Sequence, residues 1–288
     1  MTKIFVFPGQ GSQSKGMGEG LFEIFGDIVK QADAQLGYSV KNLCLEDSDS
    51  LLSQTQYTQP CLYVVNALTY LQKIKETGQK PDFVAGHSLG EYNALFAAEV
   101  FDFLTGLKLV QERGRLMSTV SNSGMAAVLR VSRDKIQNIL EKHFPSLDIA
   151  NLNSPGQTII SGQKTDIEKA KEIFEKEGAG YMVLNVSGAF HSRYMENSRQ
   201  EFSKFLDSFS LASPKIQVIS NVEALPYRDG NIKSNLTSQI THPVRWNEIV
   251  DYLLGLENPE FEEIGPGKVL SGLINQIKRD KKKILLKQ

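Results

Sequence analysis

Residues 83–91 read Phe83-Val84-Ala85-Gly86-His87-Ser88-Leu89-Gly90-Glu91. Three apolar residues make a short buried strand, the chain breaks at Gly86, and an apolar helix follows from about Glu91 through Ala94, Leu95, Phe96, Ala97 and Ala98. Strand, tight turn and helix are the grammar of an α/β sheet. The turn itself matches G-x-S-x-G, in which a strand bends sharply into a helix with serine at the apex and glycines leaving room for the bend. The Ser88 hydroxyl is then exposed near a helix N-terminus, where backbone N–H groups hold a developing oxyanion. So short a pattern also arises by chance, and a turn serine without chemistry is the alternative. The strand before it and the helix after it favour a nucleophile.

Working outward, Ile4-Phe5-Val6-Phe7 reads as another buried strand, ending in the loop Pro8-Gly9-Gln10-Gly11-Ser12. Leu62, Val65, Leu68 and Leu71 recur at helical spacing over 60–71, with Pro60 near the helix start. The stretch from Gly124 to Ser187 has another rhythm. Met125 to Val131 is strand-like, Ser132 caps a helix reaching Phe144, and Asp148 to Asn151 and Gln157 to Ser161 are strands. Thr165 caps a helix that stops at Gly178, and Tyr181 to Val186 is a last strand. The order β-α-β-β-α-β is the ferredoxin-like pattern. The expected fold is α/β: a large domain of residues 1–123 and 191–288 around a parallel sheet, interrupted by a small ferredoxin-like domain of residues 124–190. Beyond the insert, Ile216 to Ser220 is a strand, Val244 to Leu254 a helix, and Phe261 to Ile264 a strand running into Gly265-Pro266-Gly267.

The 288 residues suit one large domain with an insertion, and 41% apolar residues are enough for a sizeable core. Acidic and basic residues nearly cancel, 33 against 32, so nothing points to nucleic acid. Two cysteines, Cys44 and Cys61, make neither a disulfide framework nor a metal-ligand spacing. With no signal-peptide pattern and no apolar run of ~18 residues, the expectation is a cytoplasmic protein without a membrane partner. The run Lys278-Arg279-Asp280-Lys281-Lys282-Lys283 reads as a solvated helix end, with a docking patch for an acidic partner as the alternative.

A serine nucleophile needs a proton acceptor. The chain has four histidines, His87, His143, His191 and His242. His87 adjoins Ser88 on a sharp turn and should point away from it. His143 ends an insert helix beside Glu141 and Lys142, which suits a surface. His191 sits where the insert hands back to the large domain, and such junctions line clefts. It is the favoured base; a packed or capping histidine is the alternative. The third member is open, because Asp148 and Asp166 fall inside the insert, and a backbone or amide carbonyl also orients an imidazole by accepting its N–H.

The helix from about Asp102 to Met117 carries Leu109, Val110, Leu116 and Met117 on one face, with Arg113 on that stripe and Arg115 off it. An inward arginine is rare unless paired, and its planar fork suits a carboxylate. An internal acid, a substrate acid, or a helix-edge side chain reaching water all remain readings of Arg113.

The sequence resembles the malonyl-CoA:acyl carrier protein transacylases of fatty-acid and polyketide synthesis, over nearly its whole length. The motifs that carry the resemblance begin with Pro8 to Gln13, Thr58-Gln59-Pro60, Gly86 to Glu91 and Glu112-Arg113-Gly114. They continue with Gly124 to Val128, Asn153-Ser154-Pro155, Ala189-Phe190-His191-Ser192, Gln239 with Pro243 to Trp246, and Gly265-Pro266-Gly267. Tyr57 to Leu68 and Phe101 to Gly106 look closer to the freestanding acyltransferases that serve modular polyketide synthases in trans. The resemblance implies an α/β-hydrolase-like core with a ferredoxin-like insert. It implies Ser88 as acylated nucleophile, His191 as base, and Gln239 orienting His191 through its carbonyl. It further implies the backbone N–H groups of Gln10 and Leu89 as oxyanion hole and Arg113 as the clamp on the malonyl carboxylate. Phe190, a bulky aromatic before the histidine, implies malonyl rather than methylmalonyl units, its ring filling the space of an α-methyl. Expected partners are malonyl-CoA and a phosphopantetheinylated acyl carrier protein, acting on a monomer with no metal and no redox cofactor. The rivals are an editing acyl hydrolase, an ordinary serine esterase and a silent carrier-docking protein.

Overall fold

The computed structural model describes residues 1–186, 188–228 and 230–285. Its strands are β1 (Thr2–Phe7), β2 (Phe83–Gly86), β3 (Ser123–Leu129), β4 (Asp148–Ser154), β5 (Gln157–Gln163), β6 (Gly180–Val183), β7 (Gln217–Ile219) and β8 (Pro259–Glu263). Among the described residues they form two sheets. The order β7-β2-β1-β8 is parallel throughout, and β4-β5-β3-β6 is antiparallel throughout.

The parallel sheet is apolar on both faces, as a sheet between helix layers must be. Phe5 and Phe7 enter one core with Leu62, Val84, Leu89 and Leu109. Ile4 and Val6, on the opposite face, enter another with Ile219, Trp246, Leu253 and Ile274. In the antiparallel sheet, Ala126, Val128 and Ile160 pack on Ile136, Leu140, Ile167 and Phe174 of its two helices. The other face turns Met125, Ala127, Ala150 and Ile159 into the core of the parallel unit. The backbone closes the same seam: Val244 N–H donates to Ala150 O, and Leu152 N–H to Val244 O, both at 2.9 Å.

The helix Thr55–Thr77 is buried without a break from Thr58 to Leu68. Such a helix must satisfy its polar side chains internally. Asn66 does so by donating to the Pro8 carbonyl at 2.9 Å and to Asn93 Oδ1 at 3.0 Å, which pins the loop after β1.

Several expected boundaries move. Pro60 lies inside the helix, five positions from its start at Thr55, rather than in the first turn. Its missing N–H leaves only the Gln56 carbonyl, near the half-exposed helix start, without a helical donor. Thr165 is not the cap of its helix, which runs Lys164–Lys176. There β5 pairs as far as Gln163 with Ser123, and Lys164 N–H goes to the Asn122 carbonyl at 3.1 Å, so the strand passes directly into the helix. Val244 is not helical because β4 takes its N–H and carbonyl, and the helix begins at Trp246. β6 stops at Val183 because Val186 N–H folds back to the Leu184 carbonyl at 3.0 Å. Ser187, at the end of the expected insert, lies outside the described residues. Ser132 caps as expected, accepting from Lys135 N–H at 3.3 Å. In the basic run, Lys278, Arg279 and Lys281 to Lys283 are exposed, with Lys281 3.1 Å from Asp251. No described helix is long and apolar enough to cross a membrane.

Candidate active site

Phe7 pairs with Gly86, so the carboxyl ends of β1 and β2 lie side by side. Loops leaving that edge of a parallel sheet build the ligand sites of α/β folds. Ser88 stands there with φ of 51°, a left-handed conformation that costs a residue with a side chain free energy and persists at functional turns. A Cβ on Gly86 would lie 1.9 Å from the Gly90 carbonyl carbon, and one on Gly90 would lie 2.0 Å from the Phe7 oxygen. The glycines of the motif are therefore steric requirements. Asn221 clips the turn from both sides: its Oδ1 accepts from Ser88 N–H at 2.7 Å and its Nδ2 donates to the Gly86 carbonyl at 2.6 Å.

The fold brings His191 to Ser88, with Nε2 2.8 Å from Oγ. On the other side of the ring, Nδ1 is 2.7 Å from the backbone carbonyl oxygen of Gln239. A carbonyl only accepts, so the proton sits on Nδ1 and the Nε2 lone pair faces the serine. That carbonyl ends the helix Ile232–Gln239. Helical bonding continues one step, from His242 N–H to the Ser238 carbonyl at 3.0 Å. The next donor in turn, for the Gln239 carbonyl, would be Pro243, which has no N–H. Proline thereby leaves this carbonyl to the imidazole. Asp148, inside the expected insert, secures the loop after His191, accepting from Arg193 N–H and Nε, each at 2.9 Å.

His191 is 3% exposed. Burial, and next the charge of Arg113, push its pKa down to about 3. The rate of Ser88 acylation is thus expected to hold as pH falls past ~6.5, the ordinary histidine value, and to break only in more acidic solution. In Arg113→Ala the break should move up, since one cause of the depression is gone. A wild-type pH–rate profile with its acidic limb at ~6.5 would refute this. His87, half-buried, bonds Asn153 Oδ1 at 2.9 Å and packs 5.6 Å from the Trp246 ring. His143 is exposed.

Arg113 is 1% exposed, on the helix Phe103–Met117 whose cap is Asp102. Nη1 donates to Gln59 Oε1 at 2.7 Å, and Nη2 to Gln239 Oε1 at 2.8 Å and to Ser88 Oγ at 3.0 Å. All three acceptors are neutral. The Tyr92 ring lies 5.5 Å from the guanidinium carbon and adds a cation–π contact. Arg115 is exposed and bonds Glu112 at 2.7 Å and 2.8 Å. Glu91, fully buried, accepts from Asn221 N–H at 2.7 Å, from the Tyr227 hydroxyl at 2.8 Å and from the Gln239 amide. Burial pushes its pKa up to about 7, against those bonds and the charge of Arg113, which favour the ionised form.

Residues 4–284 match the model of the acyl transferase domain. The chain belongs to the acyl transferase family. It is 57% identical over 279 residues to a polyketide-biosynthesis malonyl CoA-acyl carrier protein transacylase of Bacillus subtilis, covering 96% of this chain and 97% of that one. It is 41% identical to the malonyl CoA-acyl carrier protein transacylase of Synechocystis, over 95% of this acyl transferase and 92% of the relative. A crystal structure of a malonyl CoA-acyl carrier protein transacylase from Burkholderia pseudomallei superposes with a TM-score of 0.95 at 50% identity, over 97% of this chain and 98% of that one. A malonyl-transacylase solved in complex with its type II polyketide acyl-carrier protein superposes with a TM-score of 0.91 at 31% identity, over 96% and 93%.

In this acyl transferase a cleft of about 170 Å³ leads to Ser88 and His191. Gln10 lies on its wall, and Leu89 caps the helix that follows the elbow. Among the described residues, neither the Gln10 nor the Leu89 backbone N–H donates to a protein acceptor. Phe190 is buried in the main core with its ring over Gly188; the cleft wall near His191 is made by Met125, Ile159, Leu184 and Val186. Sequence reasoning gave no role to Gln59, Glu91, Asn66 or Asn221. The available signal was a lone polar residue in an apolar helix, as with Asn66 among Leu62, Val65 and Leu68 or Glu91 ahead of Ala94 and Leu95. Asn221 sits in a turn and carries no such contrast.

Proposed function

We propose that this protein transfers a malonyl group from malonyl-CoA to the phosphopantetheine thiol of an acyl carrier protein through an ester on Ser88. The observation that carries the reading is the Arg113 guanidinium, buried among neutral acceptors and 3.0 Å from Ser88 Oγ. A buried cation with no counter-charge in contact is costly, and a substrate carboxylate would relieve that cost. An editing hydrolase would need Ser88 and His191 but has no use for such a cation. The relatives named above are malonyl transacylases by name, and the one 57% identical belongs to polyketide biosynthesis, which supports a trans-acting role there.

In the first half-reaction His191 Nε2 takes the Ser88 proton as Oγ attacks the thioester carbonyl. The N–H groups of Gln10 and Leu89 hold the oxyanion. The C–S bond breaks, and the CoA sulfur leaves with the proton from Nε2. In the second, the carrier thiol gives its proton to Nε2 and attacks the ester, and Ser88 recovers its hydrogen. These steps ask for no metal or redox cofactor. Malonyl selection by Phe190 belongs to the same reading, acting from the core behind His191. So do an α/β-hydrolase-like core of residues 1–123 and 191–288, a ferredoxin-like domain of residues 124–190, a monomer, and a cytoplasmic location.

Incubation with malonyl-CoA should add one malonyl mass to Ser88, and a phosphopantetheinylated carrier protein should remove it with matching gain. An adduct lost to water before transfer would turn the reading to the hydrolase. Arg113→Ala is expected to lose roughly 100-fold in kcat/KM for malonyl-CoA, the scale of two charge-assisted hydrogen bonds, while acetyl transfer falls far less. Equal losses for both acyl groups would remove the clamp.

A further inference from the structure

We propose that Glu91 is a positioning residue that fixes the direction of the Gln239 side-chain amide and thereby keeps the Arg113 guanidinium open to a substrate carboxylate. The proposal rests on reading Arg113 as the malonyl clamp.

The Gln239 amide stands between two buried charges. Its Nε2 donates to Glu91 and to the Ser88 carbonyl, the latter at 2.9 Å. Its Oε1 accepts from Arg113 Nη2 at 2.8 Å. Gln239 is fully buried, so no water substitutes for either contact. Above about pH 7, the value to which burial pushes its pKa, Glu91 is ionised and only accepts, and a guanidinium only donates. With Glu91 on one side and Arg113 on the other, only one of the two amide orientations makes both bonds. Glu91 is held in turn on its other oxygen by Asn221 N–H at 2.7 Å and by the Tyr227 hydroxyl at 2.8 Å.

The separation also matters. In direct contact, Glu91 would neutralise Arg113 and fill the place of the substrate acid. The amide relays the orientation but carries no charge, so Arg113 is held in line by Gln59 and Gln239 without being paired. The acceptor for His191 Nδ1 is the backbone carbonyl of Gln239, which stays in place when the side chain changes.

Glu91→Gln tests this. A glutamine must keep its oxygen for Asn221 and Tyr227, so its amide NH₂ faces Gln239. Gln239 then turns its own NH₂ toward Arg113, donor against donor. The expected result is a rise in KM for malonyl-CoA of at least about tenfold, with Ser88 acylation by p-nitrophenyl acetate within about threefold of wild type. Gln239→Ala should raise the malonyl-CoA KM by a similar factor, and Glu91→Gln should add less than about twofold to that rise. Equal slowing of both probes, or penalties that multiply in the double variant, would overturn the proposal. If Glu91→Gln fails to fold, Gln239→Ala alone decides, because an unchanged malonyl-CoA KM there removes the relay. Arg113→Ala in the same assays separates the two readings. A normal malonyl-CoA KM in that variant defeats the clamp itself, whereas a raised KM there beside a normal one in Glu91→Gln defeats only the relay.

Discussion

His191→Ala is expected to slow acylation of Ser88 by about 10⁴-fold while leaving malonyl-CoA binding nearly unchanged. The base sits 2.8 Å from Oγ and is uncharged at neutral pH, so the whole proton-accepting capacity at the serine resides in Nε2. Arg113 donates to the same oxygen at 3.0 Å and stabilises negative charge on it, but it takes no proton. On the proposed reading Arg113 rather than His191 holds the malonyl carboxylate, which is why kcat should fall and KM should not. Rapid-quench measurement of the acyl-enzyme gives the number. A loss below about tenfold would mean that another group removes the proton, with His87, next in sequence, the first to examine.

Gly90→Ala should cost the fold at least about 3 kcal/mol, and lower the melting temperature by roughly 6–12 °C. The added Cβ would stand 2.0 Å from the Phe7 oxygen and 2.9 Å from the Pro8 oxygen. Both are backbone atoms in or just after a central strand, so no rotamer change relieves the overlap. The helix Gly90–Ala97 would have to lift off the sheet, taking the elbow with it. Gly124→Ala is the internal control: nothing lies within 4 Å of its Cβ position, and its melting should match wild type. A Gly90→Ala protein melting like wild type would show that helix and sheet separate at little cost, and the steric account of the motif would fail.

How much of this was legible in the sequence follows from where each signal resides. The elbow could be read because strand, glycines and helix are contiguous, and the clash at Gly86 and Gly90 is local. The two sheets could be read because periodicity and caps such as Ser132 are local as well. Helix limits were harder. Val244 has helical neighbours in sequence, yet a strand some ninety residues away claims its backbone. Pro60 looked like a helix start because proline favours that position, but burial from Thr58 to Leu68 outweighs one missing bond. The charges divided in the same way. Arg113 could be placed on an apolar stripe, but the neutrality of its partners depends on Gln59 and Gln239, 54 and 126 residues distant.

The main-chain acceptor behind His191 has a chemical consequence. A carboxylate in that place would favour the imidazolium and make a strong base, whereas a carbonyl whose helical donor is replaced by Pro243 aligns the ring without adding a charge. Burial, and next the charge of Arg113, leave the histidine a weak base, its pKa pushed down to about 3. Such a base discriminates by acidity. A thiol ionises near ~8.5 and water near ~15.7, so on the proposed reading the ester yields to an arriving pantetheine and resists the solvent around it. Ser88, as poor an acid as water, reaches the same base because it is held 2.8 Å from Nε2, with Arg113 3.0 Å from its oxygen to steady the charge.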